Sequence, residues 1–150
     1  MKRIFQPSAE ELEAKMDVVH SALVAACESS RGRYKAEDLI QQVKDRSVQL
    51  WFGYDSDDFD IIALTTIIAY PQARTLSFFC LTGVRIHGWQ EFLLHVNEWL
   101  PFIKEIEDWG KTVGCTLFQI ECPATWERFL KMYDYTGTHV TLYKSASDLV

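Results

Sequence analysis

The residues best suited to hold a ligand lie in one short stretch, LTGVRIHGWQEF, at residues 81–92. This stretch follows the strand-like run TLSFFC and leads into a helical pattern. A glycine-bearing turn between a strand and a helix is a common phosphate site, because unpaired amides at a helix start attract anions. Three interpretations stay open at this point: a working phosphate site, the eroded remains of one, and an ordinary loop.

Metal and nucleophile chemistry finds little support in the sequence. Cys115, Cys122 and His139 could form a metal site, but no CxxC or HxxxH spacing accompanies them, and buried reduced thiols are the favoured interpretation. The DSDDFD segment has Phe59 where a calcium loop needs an oxygen ligand and lacks the glycine, so we expect a hydrated hairpin turn. His87 lies inside the glycine-bearing stretch, where it could contact phosphates or be a solvated loop residue.

Composition places the chain among single globular domains, here residues 1–150. Hydrophobic residues make up 48% and aromatic residues 13% of the chain, enough for a substantial core. The net charge of −6 and the lack of a basic stripe argue against nucleic-acid binding. No signal-peptide pattern and no run of roughly 18 apolar residues occurs, which predicts a cytoplasmic protein without a membrane partner.

The first half of the chain predicts a strand, two helices and three further strands. Lys2–Gln6 is a short strand, and Ser8 with Glu11 has the capping-box spacing that starts a helix. That helix is expected to stop near Ser29–Gly32, and a second follows at Ala36–Arg46. Three strands come next, of which the last is apolar on both sides and therefore central: Val48–Tyr54, Ile61–Tyr70 and Thr75–Leu81.

The second half predicts two helical regions and two strands. Trp89–Val113 is helical with an interruption at Pro101, and Thr116–Glu121 is a strand. A helix follows Thr125, and Thr138–Lys144 is expected to form the last strand. The order is β-α-α-β-β-β-α-β-α-β, an α/β (α+β) fold with a mixed, mostly antiparallel sheet and helices on both faces.

Three stretches resemble the GNAT N-acetyltransferase superfamily: QLWFGYDSDDFDIIALTTIIAYPQARTLSFFCLTG, FIKEIEDWGKTVGC and WERFLKMYDYTGTHVTLYK. The likeness is greatest to small GNAT-like proteins of phage and prophage genomes, and its matching positions are mainly apolar. In that family, acetyl-CoA lies in a V-shaped opening between two splayed parallel strands. The resemblance places those strands at Thr75–Leu81 and Thr116–Glu121.

The resemblance also assigns the cofactor-binding residues. The pyrophosphate of acetyl-CoA meets backbone amides of a Q/R-x-x-G-x-G/A loop at the start of the next helix. Arg85 and Gly88 match the first and fourth positions of that pattern, whereas Gln90 replaces its last small residue. The candidate acetyl-CoA contacts run from the strand end into this loop: Leu81, Thr82, Arg85, His87, Gly88, Trp89 and Gln90.

The catalytic pattern of the family is poorly matched. Leu130 falls where many members have the tyrosine that reprotonates the thiolate, and Pro123 falls at a frequent asparagine. Tyr133 and Tyr135 are near in sequence, and Tyr133 is the candidate acid, with core packing as the alternative for both. Amine acetylation also needs a proton acceptor, for which Glu121 is the best carboxylate; a solvated or Arg-paired strand end is its alternative.

Two functions follow as expectations. The first is a weak acyl-CoA-dependent N-acetyltransferase that acts through proximity. The second is a catalytically inactive GNAT-like structural or assembly protein of a phage particle, located in the host cytoplasm or the virion. Other phage proteins, or a second copy bound through the C-terminal sheet edge beside residues 138–144, are the expected partners.

Overall fold

Five strands form one sheet in the order β1-β2-β3-β4-β5, in a computed structural model that describes residues 1–84 and 97–146. The strands β1 to β4 are antiparallel neighbours, whereas β4 and β5 are parallel. The predicted mixed, mostly antiparallel sheet is therefore confirmed. Their bounds are β1 (Lys2–Phe5), β2 (Val48–Asp55), β3 (Asp58–Ala69), β4 (Arg74–Gly83) and β5 (Leu117–Ile120).

Helices cover both faces of this sheet. The described α-helices are α1 (Ala9–Ala14), α2 (Met16–Cys27), α3 (Ala36–Lys44), α4 (Ile103–Thr112) and α5 (Glu127–Leu130). The predicted capping box starts α1, because the Glu11 amide donates to the Ser8 hydroxyl and the Ser8 amide donates to the Glu11 carboxylate, each over 3.1 Å. The single helix expected after Ser8 is divided at Lys15, whose backbone (φ −110°, ψ 11°) leaves the helical region.

Two apolar cores lie on opposite faces of the sheet. On the first face, α1, α2 and α3 pack on β2 and β3 through Val19, Leu23 and Leu39 against Leu50 and Phe52. On the second face, α4 and α5 pack on side chains that include Trp51, Ala63, Leu76 and Phe78. Neighbouring residues of a strand point to opposite faces, so Trp51 and Phe52 belong to different cores. The sheet is buried on both sides.

The expected last strand at Thr138–Lys144 is wrong, because residues 135–145 adopt no regular secondary structure. The prediction used the alternation of Val140 and Leu142, yet these side chains are 81% and 86% exposed. Strand propensity expresses packing on a face and pairing with a neighbour. In the described part of the chain this segment pairs with no strand, and Val140 and Leu142 are not packed on a face.

The helical region predicted at Trp89–Val113 is described from residue 97 onward. Residues 97–99 are helical, Leu100–Phe102 is a 3-10 turn that contains Pro101, and α4 follows. Proline at the first turn of a helix removes no intrahelical hydrogen bond, which explains why α4 begins just after it. The start of the predicted helix lies outside the described residues.

Candidate functional site

A gap opens between the two parallel strands β4 and β5. Their pairing runs from Thr75 with Leu117 to Phe78 with Ile120 and ends where the Glu121 amide donates to the Phe78 carbonyl over 2.8 Å. Beyond this point β4 continues to Gly83, paired with β3 on its other side. In the described chain no residue after Glu121 pairs with β4, and Pro123 has no amide hydrogen for a ladder. The expected opening between splayed parallel strands is thus present.

A β-bulge marks the same point of the sheet. The register of β3 and β4 shifts between Leu64 and Thr65, because Leu64 faces Cys80 whereas Thr65 faces Phe78. Phe79 is therefore the extra residue of β4. A bulge bends its strand and increases the local twist. The bend falls directly after the last residue that β4 shares with β5, so the bulge and the gap coincide.

Below the gap lies an apolar cavity of about 30 Å³, room for roughly one or two water-sized groups. Its lining comes from both sides of the gap and from the helices beneath the sheet, and includes Phe78, Leu81, Glu121, Trp126 and Leu130. Glu121 is the charged residue of this lining in the described part of the chain. A carboxylate beside a small apolar chamber is suited to accept a proton from an amine that enters there.

Glu121 stands at the mouth of the cavity, just after β5. Its side chain is 48% exposed, and its Oε2 lies 3.9 Å from Nη1 of Arg33, in the loop between α2 and α3. An ion pair at this distance and exposure is weak. The carboxylate is consequently loosely held, within reach of solvent and of a ligand in the gap.

Leu130 lines the cavity and is only 4% exposed, so the position that the resemblance aligned with the family's tyrosine does face this site. Its side chain cannot donate a proton. Tyr133 packs at the margin of the second core and is not in the cavity lining. The Tyr135 hydroxyl donates to Glu107, and burial together with this carboxylate raises the pKa of Tyr135. The described residues therefore bring Glu121, but neither tyrosine, to the cavity.

Cys80 borders the cavity next to Leu81, and its side chain packs against the first core. Desolvation by the surrounding residues raises the pKa of Cys80 to about 12, with a smaller contribution from Cys27. The reactive form of cysteine is the thiolate, so this thiol is a poor nucleophile at neutral pH. No group of three or more possible metal ligands occurs in residues 1–84 and 97–146.

The candidate cofactor residues are described in part. Leu81 lines the cavity, and Thr82 lies beside it on β4, with its hydroxyl 3.5 Å from the Gly83 carbonyl. The remaining candidates fall outside the described residues: Arg85, His87, Gly88, Trp89 and Gln90.

A membrane-spanning helix needs a long run of apolar residues, and none of the helices in residues 1–84 and 97–146 has one.

Arg33 is the site residue that sequence reasoning missed, because its contact with Glu121 depends on how the loop before α3 meets the end of β5. A signal was present. Three basic residues, Arg31, Arg33 and Lys35, fall within five positions of a chain with net charge −6. Such a local excess of positive charge is typical of anion contacts.

Comparison with known proteins supports the fold and no finer assignment. No protein-family model and no curated protein matches the chain. Among solved structures, an aminoglycoside antibiotic 6'-N-acetyltransferase from Acinetobacter baumannii is similar with a TM-score of 0.66 and 10% identity, over 98% of this chain and 99% of that one. Glucosamine-6-phosphate N-acetyltransferase from Arabidopsis thaliana is similar with a TM-score of 0.65 and 11% identity. The match covers 98% of this chain and 99% of that one.

A transcriptional regulator from Bacillus halodurans shares the fold as well, with a TM-score of 0.61 and 14% identity, over 97% and 99% of the two chains. The fold is that of the GNAT acetyltransferases. The solved proteins that share this fold include two acetyltransferases and a transcriptional regulator. Activity depends on the residues of a site rather than on the fold. The activity of this chain must therefore be argued from its own residues.

Proposed function

We propose that this protein is a weak acyl-CoA-dependent N-acetyltransferase with a reduced set of acid–base groups. The observation that carries the proposal is the gap between β4 and β5 beyond Phe78 and Ile120. It leaves one side of the β4 backbone from Phe79 to Gly83 without a parallel partner in the described chain. Backbone amides and carbonyls along such an edge can pair with an extended ligand as they would with a strand.

The residues present fit an acetyl thioester on an extended amide-bearing arm. The open edge of β4 offers hydrogen bonds to the amides of the arm, and the apolar cavity of about 30 Å³ admits a short acyl group but little more. Acetyl-CoA, when bound, supplies the activated acetyl group. Arg85, Gly88 and Gln90 are the proposed pyrophosphate contacts, through their backbone amides, as the family resemblance implies.

The chemistry that the chain itself supplies is modest. Glu121 accepts a proton from the ammonium group of the acceptor, directly or through water, and so exposes a nucleophilic amine. Leu130 and its apolar neighbours line the chamber, so a water molecule there finds few hydrogen-bond partners. Since Leu130 offers no proton to the leaving thiolate, most of the rate enhancement comes from holding the reactants in line. We therefore expect slow turnover.

The direct test is calorimetric titration of the protein with acetyl-CoA and with CoA. Micromolar binding that is weakened by Gly88→Trp supports the proposal, because a bulky side chain keeps phosphate oxygens from the loop backbone. Lys104→Ala, on the exposed side of α4, is the matched control and is expected to bind like the wild type. Absence of heat at millimolar acetyl-CoA contradicts the proposal.

A second candidate is a structural or assembly protein of a phage particle, in a host cytoplasm or a virion. Two observations favour it: Leu130 lies at the cavity, in the position where the resemblance would place a tyrosine acid, and the tail presents Val140 and Leu142 to solvent. The strand β5 pairs only with β4 among the described residues, which leaves a sheet edge for a neighbour. Self-association without acetyl-CoA binding would support this candidate over the enzyme.

A further inference from the structure

The loop between α2 and α3, residues 31–35, is a strongly basic segment at the mouth of the cavity. Its sequence RGRYK holds Arg31, Arg33 and Lys35, all of them exposed. Arg33 reaches Glu121, which itself lines the cavity. A cationic loop at this place affects any molecule that approaches Glu121 from solvent.

Backbone conformation and hydrogen bonds fix the position of the arginines in this loop. Arg31 and Gly32 have left-handed backbones (φ 56° and 76°), which make the turn after α2. The Arg33 amide donates to the Ser30 carbonyl over 3.2 Å, and Nε of the same arginine donates to that carbonyl over 2.8 Å. With Nε anchored, the Nη end of the guanidinium is fixed towards Glu121 and solvent.

Both guanidinium groups also contact one aromatic ring. The Cζ atoms of Arg31 and Arg33 lie 5.5 Å and 5.1 Å from the ring centre of Tyr143, which comes from the C-terminal tail. Cation–π contacts of this kind hold two like charges near each other at modest cost. The result is a pair of preorganised guanidinium groups beside Glu121.

Among the described residues, Glu121 is the carboxylate that forms an ion pair with one of these two arginines. Glu121 pairs with Arg33 at 3.9 Å, and within the described residues no carboxylate forms an ion pair with Arg31. A guanidinium binds a carboxylate or a phosphate through two parallel hydrogen bonds, a geometry that the ring and the distant Glu121 do not provide. Within residues 1–84 and 97–146, the pair therefore has no oxyanion in this two-hydrogen-bond geometry.

We propose that the acetyl acceptor is a compact zwitterion whose carboxylate or phosphate binds Arg31 and Arg33 while its ammonium group lies at Glu121. This inference rests on the proposed N-acetyltransferase function and names the substrate class for the same site. The 3.9 Å between Nη1 of Arg33 and Oε2 of Glu121 implies that the two charges of the acceptor are only a few bonds apart. Small amino acids and aminoalkyl phosphates have this form.

The experiment measures binding by NMR chemical-shift titration of the full chain, with no acetyl-CoA present. Two matched pairs of probes are used: alanine against alaninamide, and 2-aminoethyl phosphate against ethanolamine. Losing a charge-assisted pair of hydrogen bonds weakens binding about 10- to 100-fold. We expect alanine and 2-aminoethyl phosphate, which carry an oxyanion beside the ammonium group, to bind at least that much more tightly than alaninamide and ethanolamine, which carry the ammonium group alone. The two pairs distinguish a carboxylate from a phosphate.

The variants Arg31→Gln and Arg33→Gln, singly and together, are expected to abolish the preference for the two probes that carry an oxyanion. Arg3→Gln is the matched control, because Arg3 also stacks on two aromatic rings, Phe5 and Tyr54, but on the far strand β1. It removes the same charge and should leave the preference intact. Unfolding temperatures of all variants identify any that fail to fold.

The two proposals fail differently. If acetyl-CoA binds and amines are acetylated without regard to a neighbouring anion, the substrate class is wrong and the enzyme proposal stands. If acetyl-CoA does not bind, the NMR titration still decides whether the arginine pair recognises an oxyanion. Equal affinities within both probe pairs, or a preference that survives Arg33→Gln, overturn the inference.

Discussion

The proton acceptor of the proposed reaction is a single carboxylate, Glu121. It lines the cavity, is half exposed and has one weak cationic partner, Arg33. An amide of the same shape cannot take a proton, so Glu121→Gln should lower kcat roughly 100-fold for amine acetylation, a typical loss for a general base. The calorimetric affinity for acetyl-CoA should stay within about twofold, since Glu121 is not among the proposed cofactor contacts.

The control for this variant is Glu105→Gln, which changes an exposed carboxylate on α4. It is expected to leave kcat unchanged. Tyr133→Phe in the same assay examines the other candidate catalytic group, whose hydroxyl is not in the cavity lining. If Glu121→Gln retains full activity, Glu121 is a solvated strand end and its role is refuted.

A second prediction at this scale concerns the Cys80 thiol. The pKa of Cys80, raised to about 12 by desolvation, means that the thiolate forms only in strong base. At pH 8 the folded protein then holds roughly a thousandfold less Cys80 thiolate than an ordinary cysteine with a pKa near 9. Alkylation by iodoacetamide, followed at each cysteine by mass spectrometry, should be slow at Cys80 in buffer and fast in urea. If Cys80 is alkylated at the same rate in buffer and in urea at pH 8, the pKa of Cys80 is not raised in the folded protein.

Among the elements, α4 lies unusually close to the two strands that border the gap. A Cβ at Gly110 would come within 2.9 Å of Leu76 Cδ2 on β4 and 3.3 Å of Phe118 Cε1 on β5. Leu76 is fully buried and has little room to move. We expect Gly110→Ala to destabilise the protein by about 1–2 kcal/mol, since overpacking exceeds the gain in helix propensity.

Thermal unfolding measures this loss, with Lys104→Ala as the control on the exposed side of the same helix. The control should be neutral or slightly stabilising. An unchanged unfolding temperature for Gly110→Ala would mean that α4 is free to shift on the sheet. In that case the cavity beneath the gap would not have fixed walls.

The elements that sequence predicted correctly are those with local causes. The capping box at Ser8 and the alternation in β2 depend on neighbours a few residues away, and both are confirmed. The segment 138–144 has the same alternation but is not a strand, because pairing depends on distant chain. At the site, the positions of Leu81 and Glu121 beside the cavity follow from strand ends, and their roles stay predictions. The contact of Arg33 with Glu121 required the tertiary structure.

At the scale of the whole molecule, the described residues include one sheet edge without a neighbouring strand and an exposed C-terminal tail. In the described part of the chain β5 bonds to β4 only, and its first residue, Leu117, is 51% exposed. The apolar side chains of Val140 and Leu142 lie in solvent on a segment of high strand propensity. An open edge and an unpaired strand-like segment are the two halves of an intermolecular sheet.

We therefore expect the purified protein to self-associate, and light scattering coupled to gel filtration to show a dimer or larger species. Leu142→Asp should shift the distribution to monomer, because it places a charge where an apolar side chain would be buried. Met132→Asp is the matched control: Met132 is 76% exposed but lies in the 3-10 turn Lys131–Tyr133, away from the strand-like segment. A wild-type protein that stays monomeric at high concentration would refute the interface, and the exposed tail would then need another partner.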